Sequence, residues 1–143
     1  MKAAILYSSF TGTTRKAGEL IASNLQQEGW GITTVSSVKR LEMGAIQDAD
    51  IVIIGTWVHG LFVVGQAPWG INGIGALPAL RGKLAATYCT FALNPAKTLD
   101  KMDKAVSHLG AEVIGGLALH RAKIEAHSEE FAARLVANIP VRA

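Results

Sequence analysis

The chain has 143 residues, half of them hydrophobic and 17% charged, enough to bury the core of one domain spanning 1–143 and too apolar for disorder. The formal net charge is +3 and the sequence pI near 9.2, but Lys and Arg are scattered singly, with no basic stripe interleaved with aromatics as nucleic-acid binding would want. The longest apolar runs are far too short for a bilayer, the N-terminus shows no signal-peptide pattern, and the one cysteine, Cys89, has no internal disulfide partner, so a cytoplasmic protein is expected.

The first stretch, Ile5 to Thr14, reads as an apolar strand ending at Tyr7, a hydroxyl-rich loop, and the start of a helix. Free amides at a helix N-terminus and the helix dipole favour an anion there, and serine and threonine hydroxyls add hydrogen bonds. No Gly-Lys-Ser/Thr ending and no G-x-G-x-x-G pattern is present, which argues against a triphosphate loop and a dinucleotide fingerprint. With no lysine in the loop, a phosphate would be held by neutral donors, as suits a cofactor's handle rather than a transferring phosphoryl group. A plain Ser/Thr turn capping a helix is the simpler use of such a loop.

Ile5, Leu6, Tyr7, Ser9, Gly12 and Thr14, followed by Ile21, resemble the FMN-binding signature of the flavodoxin family. The family usually carries alanine where this chain has Gly18, a difference of roughly 1 kcal/mol in helix propensity. Familiar flavodoxins are acidic and dock basic partners, so the resemblance together with the positive charge implies a redox partner with an acidic docking face.

The first helix is expected over Thr14 to Glu28, with Ala17, Leu20, Ile21 and Leu25 on one face and Gly29 and Gly31 ending it. Ile32 to Val35 reads as a short strand, and Val38 to Ala49 as a weak helix or loop. The β-branched run Ile51 to Thr56 reads as a strand buried on both faces, as in a parallel sheet. Strands alternating with helices make the expected fold class α/β with right-handed crossovers, and the resemblance implies a doubly wound five-stranded parallel sheet of order 2-1-3-4-5 in a flavodoxin-like three-layer sandwich. In such a fold the ligand sits at the carboxyl ends of the strands, between the first and third.

Thr56, Trp57, Val58, His59 and Gly60 follow the third strand. No aspartate stands there, which argues against a phospho-accepting receiver domain of the same topology. The resemblance implies that this loop stacks an aromatic on the flavin. Trp57 stands two residues after Gly55, where the family's aromatic usually stands four after, a place taken here by His59. Val63 to Gly82, rich in Gly and Pro, reads as a long loop with a short helix near Ile74 to Leu80, and Trp69 as its anchor.

Lys83 to Phe91 is the fourth strand, followed by Thr90, Phe91, Ala92, Leu93 and Asn94, which by resemblance is the loop at the flavin's pyrimidine edge. The outer tyrosine often found in the family is missing, leaving Phe91 as the nearest aromatic. Cys89 lacks the nearby arginine of a phosphatase loop and reads as a buried, inert thiol. Pro95 opens a fourth helix with Leu99, Met102, Val106 and Leu109 buried and Gly110 ending it; Ala111 to His120 is the fifth strand. Ser128 reads as the cap of the last helix, which Pro140 stops. His108, His120 and His127 are expected to stand apart from one another, no residue set has metal-ligand spacing, and no G-x-S-x-G elbow is present.

The resemblance thus implies FMN, with the phosphate on Ser8, Ser9, Phe10, Thr11, Gly12, Thr13 and Thr14 and the ring between the second and third loops. The expected role is electron transfer between a reductase and an acceptor protein, with no catalytic side chain in the strict sense. Two other readings stay open on the sequence: an FMN-dependent NAD(P)H or quinone oxidoreductase, and a cofactor-free binding module of the same fold.

Overall fold

The computed structural model describes residues 1–8, 12–59, 67–68, 79–92 and 98–139, with backbone alone at 58–59 and 67–68. Strands β1 (Lys2–Tyr7), β2 (Gly31–Ser37), β3 (Ile51–His59), β5 (Leu84–Phe91) and β6 (Glu112–His120) form one parallel sheet in the order β2-β1-β3-β5-β6. Counting only these five parallel strands, the order is the expected 2-1-3-4-5. The two-residue strand β4 (Ala67–Pro68) pairs antiparallel with the end of β3.

Helices α1 (Thr13–Gln27) and α4 (Ile124–Ala137) cover one face of the sheet, and α2 (Met43–Asp48) and α3 (Thr98–His108) the other. Alternation along the strands explains the division. Ile5, Ile51, Ile53, Ala86 and Tyr88 point toward Ile21, Leu25, Phe131 and Leu135. Leu6, Val52, Ile54, Ala85 and Cys89 point the other way, toward Ile46, Met102 and Val106. Burial on both faces is why β3 begins as a continuous apolar run rather than an alternating one.

Helix ends follow local chemistry. Gly12 occupies the N-cap of α1 in the left-handed region at φ 92°, a conformation that disfavours any side chain bearing a Cβ. Gly29, at φ 85°, closes the same helix: its N–H donates to the Gln26 carbonyl and that of Trp30 to the Leu25 carbonyl, the paired bonds of a Schellman end. Gly31 does not end the helix but opens β2.

Two further expectations need correction. β3 continues past its expected end at Thr56 through His59, so Trp57, Val58 and His59 are strand rather than loop; Trp57 lies in register with Thr90 of β5, and the last two residues pair with β4. The region 38–49, expected as a weak helix or loop, is a turn followed by the short helix α2. Ser128 is not a cap: α4 starts at Ile124, straight after a 3₁₀ turn at Arg121–Lys123, and Ser128 lies fully buried inside it with its hydroxyl unpartnered among the described residues. The cap belongs to the 3₁₀ turn, where the His120 ring accepts from the Ala122 N–H. The expected short helix at 74–80 lies mostly outside the described residues, as do Trp69, Pro95 and Pro140.

Candidate functional site

The carboxyl ends of β1, β3 and β5 lie side by side, with Tyr7 in register with Gly55, and Gly55 with Tyr88. At the end of β1, Ser8 is nearly buried, and its N–H donates to the Gly55 carbonyl at 2.9 Å, tying the first ligand loop to β3. Gly12 then turns the chain into α1. Among the described residues, a Cβ at Gly12 would meet nothing within 4 Å.

The charge there fits an anion. The first turn of α1 carries no acidic residue and instead holds Arg15 and Lys16. Cations at a helix N-terminus oppose the dipole unless an anion sits beside them. Arg15 pairs with Glu19 one turn along at 2.8 Å, and Lys16 reaches Glu125 of α4 at 4.0 Å. Both pairs are solvent-exposed and contribute little to stability.

Thr14 is buried, and its hydroxyl lies 2.9 Å from that of Thr90 on β5. The Tyr88 hydroxyl, wholly buried, donates to the Thr14 carbonyl at 2.9 Å. The structure thus brings Thr14, from the first predicted loop, onto Thr90, from the third. Burial pushes the Tyr88 phenol well above the usual tyrosine range, so it remains a donor.

Of the other predicted site residues, Thr56 is fully buried in β3 and Trp57 is half-buried at its carboxyl end. Phe91 and Ala92 are half-buried at the end of β5. The Phe91 ring meets the His120 ring edge-on, with centroids 5.0 Å apart. Ser9, Phe10, Thr11, Gly60, Leu93 and Asn94 lie outside the described residues, and at Val58 and His59 only the backbone is described.

Two features escaped the sequence reading. His120 and His127 stand together: the His120 backbone N–H donates to His127 Nδ1 at 2.9 Å. A strand end, one 3₁₀ turn and a helix start between them are what close that gap, a signal visible only once the helix start is placed at Ile124. The second is the Tyr88 hydroxyl bond to the start of α1, for which no local sequence pattern exists. Among the described residues no group of three or more His, Cys, Asp and Glu forms a metal site.

Cys89 faces α3 in the core, and burial pushes its thiol up to about 12 from an ordinary 9.0. It is therefore expected to resist iodoacetamide at about pH 8 in the folded protein and to react once urea unfolds the chain, as mass spectrometry would show. Because the folded value is raised, the contribution of this thiol to stability is fully present below about pH 9 and is lost as pH rises toward 12. In that window Cys89→Ala should remove about 1.4 kcal/mol per pH unit from the slope of unfolding free energy, measured by urea titration.

The flavodoxin-domain family model matches residues 4–135, and the chain belongs to that family. No curated protein is significantly similar to it in sequence. Among solved structures it is similar to oxidised flavodoxin 1 of Bacillus cereus, at TM-score 0.69 and 17% identity over 98% of this chain and all of that one. It is similar also to a cysteine-to-serine mutant of Pseudomonas aeruginosa flavodoxin (TM-score 0.72, 18% identity, 96% and 98% of the two chains). The two-electron reduced flavodoxin of Megasphaera elsdenii gives TM-score 0.68 and 17% identity over 92% and 98%. Identities this low speak to the fold, while the family match makes the chain a flavodoxin-like protein of an FMN-binding, electron-transporting family. No helix among the described residues is long and apolar enough to cross a membrane.

Proposed function

We propose that this chain carries electrons on bound FMN between a reductase and an acceptor protein with an acidic docking face. The observation that supports the reading is the first turn of α1: free of acidic residues, entered through Gly12 in the left-handed region, and set beside the carboxyl-terminal halves of β3 and β5 where β1 ends. The phosphate is assigned to the loop 8–14, where neutral hydroxyls and α1 amides would hold it and Arg15 and Lys16 offset its charge. Trp57 at the end of β3 and Phe91 at the end of β5 are the aromatics assigned to the ring. FMN supplies reversible electron storage, and the chain supplies binding, orientation and the surface through which a partner approaches.

The partner's charge is inferred from the same edge of the sheet. Lys39 and Arg40 follow β2 directly, Arg121 and Lys123 follow β6, and Arg15 and Lys16 open α1. All six are exposed, and among the described residues neither the first pair nor the second has a carboxylate partner. At the amino-terminal end of the strands, Lys2 pairs with Asp48 and Lys83 Nζ donates to the carbonyls of Gln47 and Ala49, while Arg81, like the four above, has no carboxylate partner among the described residues. Unmatched cations around a redox site raise the local concentration of anionic partners and speed their association.

Stopped-flow reoxidation of the photoreduced, FMN-loaded protein tests the reading with two inorganic acceptors. Ferricyanide, an anion, should react fastest at low salt and slow as salt rises, and hexaammineruthenium(III), a cation, should do the reverse. Reversing charge at Lys39, Arg40, Arg121 and Lys123 with glutamate should slow ferricyanide by about tenfold or more at low ionic strength. Salt-independent rates for both acceptors would remove the acidic-partner reading. Enzyme-like NAD(P)H consumption by the isolated FMN-loaded protein with a quinone would replace the carrier with an oxidoreductase.

A further inference from the structure

We propose that Tyr88 is a positioning residue for the phosphate end of the flavin site, acting through the first turn of α1. The inference rests on the FMN reading above and adds to it a residue that lies outside the three ligand loops. Tyr88 sits in the middle of the sheet, fully buried, and its hydroxyl donates to the backbone carbonyl of Thr14, 74 residues away, at 2.9 Å. Thr14 belongs to the turn whose amides would face the anion. Two residues further along β5, on the same face, the Thr90 hydroxyl meets the Thr14 hydroxyl. The strand that ends in the ring loop therefore grips the helix that begins at the phosphate loop by two bonds.

Two glycines exist at the places this arrangement requires. A Cβ on Gly55 would lie 2.0 Å from Tyr88 Cζ, so the ring occupies the space above β3 that any other residue would fill. A Cβ on Gly18 would lie 2.9 Å from the Tyr88 hydroxyl oxygen and 3.2 Å from Ile5 Cγ2. The first contact makes room for the ring, the second for the hydroxyl. A ring without the hydroxyl would need Gly55 but would lift the closest contact at Gly18. Glycine is among the poorest residues for a helix interior, and a phenol is costly to bury unless it is bonded. Both costs are met together, which points to the hydroxyl's bond to Thr14 rather than to core filling as what the position is for. Gly18, where the family usually has alanine, is on this account the complement of Tyr88.

FMN and riboflavin differ only in the phosphate, so their affinities separate the two ends of the site. Fluorescence titration of the whole chain with each should show Tyr88→Phe weakening FMN by about five- to tenfold, the worth of one buried hydrogen bond, with riboflavin unchanged within about twofold. Gly18→Ala should also weaken FMN in the parent chain, because the added methyl displaces the hydroxyl, and should cause little further loss in the Tyr88→Phe background. A role confined to packing would lower thermal stability and move both flavins alike, or neither; either result overturns the proposal, as does strict additivity of the two substitutions. A parent chain that binds neither flavin would sink the FMN reading itself, and this inference with it, a result distinct from FMN binding that Tyr88→Phe leaves untouched.

Discussion

Gly55→Ala is expected to destabilise the fold by about 3 kcal/mol or more, at or above the upper end of what overpacking usually costs. The added methyl would lie 2.0, 2.3 and 2.4 Å from Cζ, Cε1 and Cε2 of Tyr88. Neither side of that contact has room to give. β3 is fixed on both sides by parallel pairing, Gly55 to Tyr7 on β1 and to Tyr88 on β5. The ring is hemmed by Gly18 and Ile5 and packs edge-on against Phe131 at 6.0 Å. Against a total stability of roughly 5–15 kcal/mol, a loss of this size leaves a marginal protein. Urea unfolding monitored by circular dichroism measures it. Adding Tyr88→Leu to the Gly55→Ala chain should recover part of the loss, because the smaller side chain vacates the contested volume. A Gly55→Ala chain as stable as the parent would contradict the packing described here.

Gly12→Val should both destabilise the protein and abolish tight FMN binding. Space is not the reason, since among the described residues nothing lies within 4 Å of a Cβ at this position. The backbone is the reason: φ is 92°, a region that β-branched residues avoid at a cost of about 1–3 kcal/mol. Valine relieves that strain only by changing φ, which alters how the chain enters the first turn of α1. The substitution series carries its own control. Asparagine tolerates left-handed backbone better than alanine, and alanine better than valine. FMN affinity should fall in that order, by more than about tenfold for valine, as isothermal titration would read out. Equal affinity across the series would show that the Gly12 conformation does not shape the cradle.

The sequence carried the sheet because its signals there are local. Ile51 to Ile54 and Ala3 to Leu6 are apolar on both faces, as central parallel strands are, and the alternation with helices implies a parallel sheet with right-handed crossovers; the order itself came with the family resemblance. The Schellman end at Gly29 was legible for the same reason. What was not legible depends on partners distant in sequence. The extension of β3 through His59 exists because Trp57 pairs with Thr90 and the last two residues pair with β4, contacts that no window around Trp57 contains. Ser128 carries a capping residue's chemistry but lies a full turn inside α4, because the chain enters that helix through a 3₁₀ turn capped by His120. Gly18 stood out as a departure from a family pattern, yet its reason is a three-body fit with Gly55 and Tyr88, contributed by α1, β3 and β5. Thr14 was legible as a member of the first loop, whereas its hydroxyl bond to Thr90, and so the joining of first and third loops, was not.

Retained FMN is the central claim, and a visible absorption spectrum of the purified chain, taken before and after incubation with FMN and desalting, tests it most directly. Flavin bands that survive desalting in near one-to-one ratio with protein are the predicted result. A chain that emerges colourless after incubation with excess FMN would contradict the claim and leave a flavodoxin-fold binding module in its place.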